Sequence, residues 1–426
     1  PDGAAERGPL AGLVGVLKAN IAWAGWPLDC GSRLLRDDPA RLTATAVARA
    51  VAAGAHFLGT TVMDEFGMGS STEFSASGPA RNPWCLDRVP GGSSGGAAAA
   101  VAAGLATFAL GSDTGGSVRQ PAHCCGLVGV KPTWGRMSRW GLVAFASSLD
   151  VIGSLTRDVA TAVRLLESLL GRDPRDASSR GEPLDARRAR ESVRGLRVAV
   201  PWGEVLASDV SADVVAAFRA ALAALAAHGV EIVPVEIPSW SLALPAYVIV
   251  AAAEAASNLA RYDGSFYGRR GASESYDRLA AATRGIGLGR EVQRRLLLGT
   301  FVLSAGYRER FYRRATCARA RLAYELAAIC EDAAAIAVPT ASSSAFRFGE
   351  RSGDPLAMYH SDALTVPANL AGLPAVSLPA GCGGDGLPLG VQLIGPRDGE
   401  ERLLALAAAI ERELAFAARE DVPWRR

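Results

Sequence analysis

Two lysines, Lys18 and Lys131, stand in a chain whose other basic residues, out of 45 in all, are arginine. A GC-rich coding bias accounts for an arginine-rich surface, because either cation serves a solvated position. Arginine, however, keeps its proton at any working pH, so a site that needs an uncharged amine as its base must retain lysine. The other residues arranged for chemistry lie in two glycine- and serine-rich segments. Pro90-Gly91-Gly92-Ser93-Ser94-Gly95-Gly96 runs straight into the alanine-rich helical pattern of residues 97–103. A flexible linker has this composition. A serine at a helix start also caps orphan amides, and glycines admit close backbone approach, so the same turn can hold a hydroxyl in place. Leu110-Gly111-Ser112-Asp113-Thr114-Gly115-Gly116-Ser117-Val118-Arg119-Gln120-Pro121 follows a strand-like run and sets consecutive backbone amides beside Ser117. Acyl transfer needs a nucleophile next to fixed donors aimed at the developing oxyanion, and losing one donor typically costs ~2.7 to 4 kcal/mol of barrier. Residues 114–117 offer both, unless the segment is an ordinary glycine turn after a strand.

Several other chemistries fail on these residues. Asp113-Thr114-Gly115 has the triplet of an aspartic protease, but no second Asp-Thr-Gly or Asp-Ser-Gly occurs to share the proton. Ser117 does not complete the GxSxG pattern of a nucleophile elbow. None of the four histidines, His56, His123, His228 and His360, is next to a candidate nucleophile in sequence, which makes a base other than histidine attractive. His123-Cys124-Cys125 is too tightly packed to give one ion three ligands, and no partner cluster has metal-site spacing, so no metal is expected. Lys131 follows Val130 instead of glycine, so it is not the lysine of a phosphate loop.

The elements that must position these groups alternate in type. β-type runs at 12–21, 108–111, 196–201, 231–237, 335–339, 375–379 and 389–394 are interspersed with helical patterns at 43–53, 156–170, 214–227 and 400–413, the third closing on Gly229. Such alternation predicts a layered α/β fold. With 426 residues, 49% of them hydrophobic, the chain carries far more apolar material than a minimal core requires. Residues 171–195 are charged and poor in large apolar groups and are expected to form an exposed connection within one domain. A net charge of +2, from 45 basic and 43 acidic residues, excludes a nucleic-acid binder that relies on a global positive field. Seven cysteines without a CxxC pair point to a reducing compartment. No uninterrupted apolar run reaches the roughly 18 residues of a membrane span, the alanine-rich stretch being broken at Gly104 and Gly111, so a soluble chain with no membrane partner is expected.

Lys18 in Leu17-Lys18-Ala19-Asn20, the two serine segments, and the run Gly126-Leu127-Val128-Gly129-Val130-Lys131-Pro132-Thr133-Trp134-Gly135-Arg136 together resemble the amidase signature family. The resemblance implies a single large α/β amidase-signature domain over 1–426, with a mixed central β-sheet covered by helices on both faces. It implies a Ser-Ser-Lys triad in which Lys18 is the uncharged base, Ser93 the relay in a cis peptide and Ser117 the nucleophile. The oxyanion hole carries over onto the amides of Thr114, Gly115, Gly116 and Ser117. Lys131 has no catalytic counterpart and returns to a structural role. Within the family the chain looks most like the glutamine-hydrolysing A subunits of the amidotransferases that convert misacylated Glu-tRNA or Asp-tRNA to Gln-tRNA or Asn-tRNA. That likeness includes Met63-Asp64-Glu65-Phe66, Gly69-Ser70-Ser71-Thr72-Glu73, residues 139–150 and 298–304, Met358-Tyr359-His360-Ser361-Asp362 and Asn369-Leu370-Ala371-Gly372-Leu373-Pro374. General amidases share the serine core and usually lack these later runs. The likeness implies glutamine as substrate, with Arg319 (or Arg321, two residues on) for its α-carboxylate and Asp362 for its α-amine. It implies no cofactor in this chain, ATP and Mg²⁺ on a partner, B- and C-type partner subunits, and tRNA reached mainly through them. The expected location is the cytoplasm if bacterial, or the mitochondrial or plastid matrix if eukaryotic.

The family pattern is broken at Ala19, where aspartate is usual, and at Thr60, where lysine is common; Trp23 and Trp26 are also unusual. No counterpart of the family's helical segment precedes the run at 12–21. Ala19 and the tryptophans lie close to Lys18 in sequence, so two further readings stay open: a stand-alone amidase acting on other amides, and an amidase-fold subunit that has become structural.

Overall fold

Glycine inside a strand weakens its sequence pattern but lets another backbone or side chain come close, and two of the three strands that a reading by periodicity misses hold one at such a contact. The computed structural model describes residues 8–36, 38–272 and 275–416. Its strands are β1 (Val14–Lys18), β2 (His56–Thr61), β3 (Phe108–Asp113), β4 (Val128–Lys131), β5 (Val151–Thr156), β6 (Arg197–Val200), β7 (Glu231–Pro234), β8 (Ala335–Pro339), β9 (Ala375–Cys382) and β10 (Pro388–Ile394). The unanticipated ones, β2, β4 and β5, contain Gly59, Gly129 and Gly153. A Cβ on Gly129 would lie 2.6 Å from Ala122 Cβ, and one on Gly153 would lie 2.4 Å from Val130 O. Gly129 and Gly153 are there for packing, whereas a Cβ on Gly59 would meet only the Trp26 ring, at an ordinary 3.6 Å.

Among the described residues all ten strands join one sheet in the order β2-β1-β3-β5-β4-β9-β10-β8-β6-β7. The flanks are parallel (β1 with β2 and β3; β6 with β7 and β8) and the centre is antiparallel, so the sheet is mixed. Strand alternation sends successive side chains to opposite faces. Val198 and Val200 join one core with helices Thr45–Ala52, Val159–Leu169, Ala212–Ala227 and Glu400–Leu414. Ala199 between them joins the core on the other face, beneath helices Ala243–Asn258, Arg290–Leu303, Tyr312–Asp332 and Val366–Ala371. Helices Gly95–Ala102 and Arg119–Cys125 cover Val16, Ala109 and Leu155 in a third cluster.

Two expectations change. The stretch 171–195 is not a free excursion, since Leu184, Ala186, Ala189 and Val193 are buried in the first core. Likewise, one helical stretch among the described residues, Trp240–Arg261, is long and apolar enough to cross a membrane, with a mean hydropathy of 1.5. A search for uninterrupted apolar runs passes over it because Ser241, Glu254 and Asn258 break the run. In the fold it packs against the helices Arg290–Leu303 and Tyr312–Asp332 and buries half of itself, as a core helix does.

Candidate active site

Lys18 ends β1 on the face it shares with Val16, at the carboxyl ends of three parallel strands, where open α/β sheets place their ligands. Its Nζ is 2.7 Å from Ser93 Oγ and donates to Ser112 O at 3.1 Å. Burial drives the amine from its ordinary 10.5 down to about 7, against the opposing pull of Asp64, Asp113 and Asp150. Desolvation therefore lets the amine lose its proton near pH 7, as a candidate base must. Lys131 is lowered to about 7 as well, by burial and then by the charge of Arg119, but among the described residues its Nζ donates to Pro132 O alone, at 2.9 Å. It lies behind the site.

The first glycine and serine segment is no linker. The Gly92–Ser93 peptide is cis, and the Gly92 amide donates to Gln120 Oε1 at 2.8 Å. A Cβ on Gly92 would fall 2.2 Å from Asp64 Oδ2, and one on Gly95 would fall 2.2 Å from Thr72 Oγ1. Thr72 accepts from the Gly95 amide and donates to Gly91 O. Asp64 in turn accepts the amides of Ser71, Thr72 and Phe74. Ser94 precedes helix Gly95–Ala102 without capping it; its hydroxyl donates to Ser112 O at 3.2 Å. The segment is held by neighbours, not by a helix cap.

The second segment is built on Asp113. Its carboxylate accepts the amides of Gly116 and Val118 and is paired with Arg119 at 3.0 Å. Burial alone would raise this carboxyl, but the Arg119 charge and its hydrogen bonds outweigh burial and hold it well below the usual range. Arg119 continues to Thr365 O, Gln392 and Asn369. The Ser94 amide donates to Ser117 O at 3.2 Å and so fastens the two turns together. Ser117 is 9% exposed while Lys18 and Ser93 are fully buried, so of the three Ser117 is the one open to a substrate. Thr114 Oγ1 donates to Asp150 at 2.7 Å, which orients the amides that follow. With the Gly116 N–H directed at Asp113 Oδ1, the Thr114, Gly115 and Ser117 amides are, among the described residues, the donors of this turn that could face an oxyanion. No histidine is hydrogen-bonded to Ser93 or Ser117 among the described residues. Trp23 stacks on Trp26 at 4.5 Å and edges onto Phe57, and the Ala19 amide bonds Thr61 O. These departures from the family pattern leave the partners of Lys18 in place.

Asp362 comes to this centre, accepting from Ser70 Oγ at 2.6 Å, while Ser70 O accepts from Gln120. Burial raises the Asp362 carboxyl to about 7, against the hydrogen bond from Ser70 and the charge of Arg295. Arg319 is elsewhere. Its Nε donates to Leu370 O, and its two Nη groups donate to Ser148 Oγ and O, so the whole guanidinium braces the fold. Arg321 faces solvent beside Glu325. The arginine at the site is one the sequence reading missed, Arg295, three residues ahead of the 298–304 run. It is 7% exposed, with Nε on Glu291 at 2.7 Å and its guanidinium over the Tyr359 and Phe145 rings at 5.0 and 5.7 Å. Among the described residues its Nη groups have no hydrogen-bond partner. Its charge reaches both Asp362 and Tyr247. The Tyr247 ring packs on the nucleophile turn, where a Cβ on Gly115 would lie 2.5 Å from the phenol oxygen.

The model of the amidase family matches residues 2–404, which is nearly the whole chain and includes both serine turns and Lys18. The chain belongs to the amidase family. The A subunit of glutamyl-tRNA(Gln) amidotransferase from Moorella thermoacetica is 50% identical to it over 414 residues, covering 97% of this chain and 85% of that protein. The A subunit of the Thermus thermophilus enzyme of the same name is 52% identical over 413 residues, 96% of this chain and 86% of the relative. A crystal structure of the A subunit of glutamyl-tRNA(Gln) amidotransferase from Thermotoga maritima superposes with a TM-score of 0.83 at 42% identity, covering 97% of this chain and 86% of that one. A structure of 6-aminohexanoate cyclic dimer hydrolase superposes at 0.82 with 28% identity, covering 99% and 90%. The mixed sheet with helices on both faces is thus the family's fold.

Proposed function

We propose that the chain is the glutamine amidohydrolase subunit of a tRNA-dependent amidotransferase. The observation that carries the chemistry is the 2.7 Å contact between a fully buried Lys18 amine, about half of it uncharged at pH 7, and Ser93 Oγ, with the Ser117 turn tied to the next residue. Neutral Lys18 accepts the Ser93 proton as Ser93 takes that of Ser117, whose Oγ attacks the side-chain amide carbon of glutamine. The negative oxygen is met by the free amides of residues 114–117. As the C–N bond breaks, the proton returns through Ser93 to the nitrogen, and ammonia leaves. Water, activated along the same chain of groups, cleaves the glutamyl ester and releases glutamate. The amino-acid head group is held at the buried pair of opposite charges, with the α-carboxylate on the unpaired edge of Arg295 and the α-ammonium on Asp362.

The names of the relatives place such subunits in a multi-subunit enzyme. In this reading ammonia passes to a B-type subunit, which activates the tRNA-linked carboxylate with ATP and Mg²⁺, a C-type subunit completes the assembly, and tRNA is contacted mainly through these partners. The named relatives are bacterial, and a bacterial cytoplasm is the compartment we assign. Glutamine hydrolysis by the purified chain, alone and with co-purified partners, tests the reading. Ammonia release specific for glutamine, with partner subunits in the native mass spectrum, supports it. Turnover of unrelated amides by an unpartnered chain, with none of glutamine, overturns it.

A further inference from the structure

We infer that Glu65 is a positioning residue that sets the distance between the reacting serine and the arginine holding the substrate's carboxylate. The inference rests on the assignment of Arg295 to that carboxylate. Glu65 is 4% exposed and its two oxygens face different elements. Oε2 accepts the backbone N–H of Gly289 at 2.7 Å, and Oε1 accepts the Ser32 hydroxyl. Gly289 is the residue that begins helix Arg290–Leu303, and that helix has no capping side chain of its own. Glu65 therefore caps, from 224 residues away, the helix on which Arg295 stands. A carboxylate suits this place because the start of a helix exposes unpaired N–H groups and a partial positive charge. The approach is tight, since a Cβ on Gly289 would lie 2.5 Å from Glu65 Oε2.

At its other end Glu65 is fixed to the chemistry. Its own amide donates to Phe74 O and that of Phe66 to Cys30 O. Two residues on, Gly67 lies against the relay serine, where an added Cβ would be 3.6 Å from Ser93 Oγ. One side chain thus spans the gap from the serine-lysine core to the first turn of the helix, and Arg295 lies about 9 Å further along it, six residues at ~1.5 Å each. Aspartate would be shorter by one methylene, roughly 1.5 Å. The helix end would then follow it inward or lose its cap, and Arg295 would shift relative to Ser117. A misplacement of that size is enough to weaken a positioned contact by an order of magnitude or more.

The full chain, with whatever partners accompany it, is compared as Glu65→Asp, Glu65→Gln and parent. Glutamine turnover reads head-group binding, and the rate of Ser117 labelling by phenylmethanesulfonyl fluoride reads the nucleophile without a head group. Glu65→Asp should raise KM for glutamine about tenfold or more, with kcat and the labelling rate within about threefold of the parent. Glu65→Gln keeps the length and one acceptor oxygen and should restore KM to within about threefold. Labelling and kcat/KM falling by a common factor, or an unchanged KM, would overturn the inference. If Glu65→Asp does not fold, Gly289→Ala presses on the same contact from the other side and must show the same split. Arg295→Lys separates the two claims: if it leaves KM for glutamine unchanged, the assignment of Arg295 fails; if it raises KM while Glu65→Asp does not, only the role of Glu65 fails.

Discussion

Replacing Lys18 by arginine keeps a cation in the site and removes the one state in which it acts as a base. With its pKa at about 7, roughly half of Lys18 is neutral at pH 7; at the ordinary 10.5 the neutral fraction would be about three in ten thousand. Burial therefore enlarges the population of working base about a thousandfold. A positioned general base is worth ~10² to 10⁴ in rate, so Lys18→Arg is expected to lower kcat for glutamine by about 10³, or ~4 kcal/mol of barrier. Lys18→Met should do the same without the bulk of the guanidinium. Glutamate release, coupled to glutamate dehydrogenase and followed between pH 5.5 and 9, supplies the assay, with far-UV circular dichroism to show that the variants fold. In the parent, kcat should fall about tenfold per pH unit below pH 7. The decline of kcat/KM should be steeper, because Asp362, at about 7 before substrate binds, must also be ionised to hold the ammonium. A variant that retains kcat within tenfold, or a parent kcat that is flat from pH 6 to 8, would refute the assignment of Lys18 as base.

Arg295→Ala should raise KM for glutamine by about thirtyfold or more through the loss of a buried charge contact, whereas Arg319→Ala should leave KM alone and lower the melting temperature, by ~2 kcal/mol of lost bonds to Ser148 and Leu370. Gly116→Ala places a Cβ 2.2 Å from Thr365 Oγ1 at a φ of +133°, so the donor turn must shift, and kcat should fall by about 10² while glutamine still binds, as isothermal titration can measure. Lys131→Met should keep kcat within about threefold, since Lys131 has no contact with the serines. Its pKa is depressed by burial, so the unfolded chain binds the extra proton between pH 7 and 10.5 and folding stability rises with pH across that window. In Lys131→Met that rise should be reduced in denaturant melts taken at pH 7 and 9.5, the part due to Lys18 remaining.

The groups proposed to react could be picked out along the chain as residue types, and the fold brings Lys18 and Ser93 to 2.7 Å. A lysine kept where arginine is otherwise universal, and glycines such as Gly92 and Gly95, leave their mark on the sequence, although it is the packing of Asp64 and Thr72 that leaves no room for a Cβ there. Most strands were legible too, since their apolar runs report burial; β2, β4 and β5 were not, and in β4 and β5 an internal glycine sits where a neighbour packs too closely for a Cβ. Choosing among arginines was beyond the sequence. Arg295 and Arg319 both lie in arginine-rich helices, and nothing in their spacing tells which guanidinium keeps an unpaired edge beside Asp362 and which is used up on Ser148 and Leu370. Glu65 likewise reads as part of a Met-Asp-Glu-Phe run until the fold brings Gly289 to within 2.7 Å of it. The glycine and serine content of the two turns could be read directly, while their shape is fixed by Gln120, Thr72 and each other. The role of a charge is set by the groups the fold places around it, and that only the tertiary structure decided.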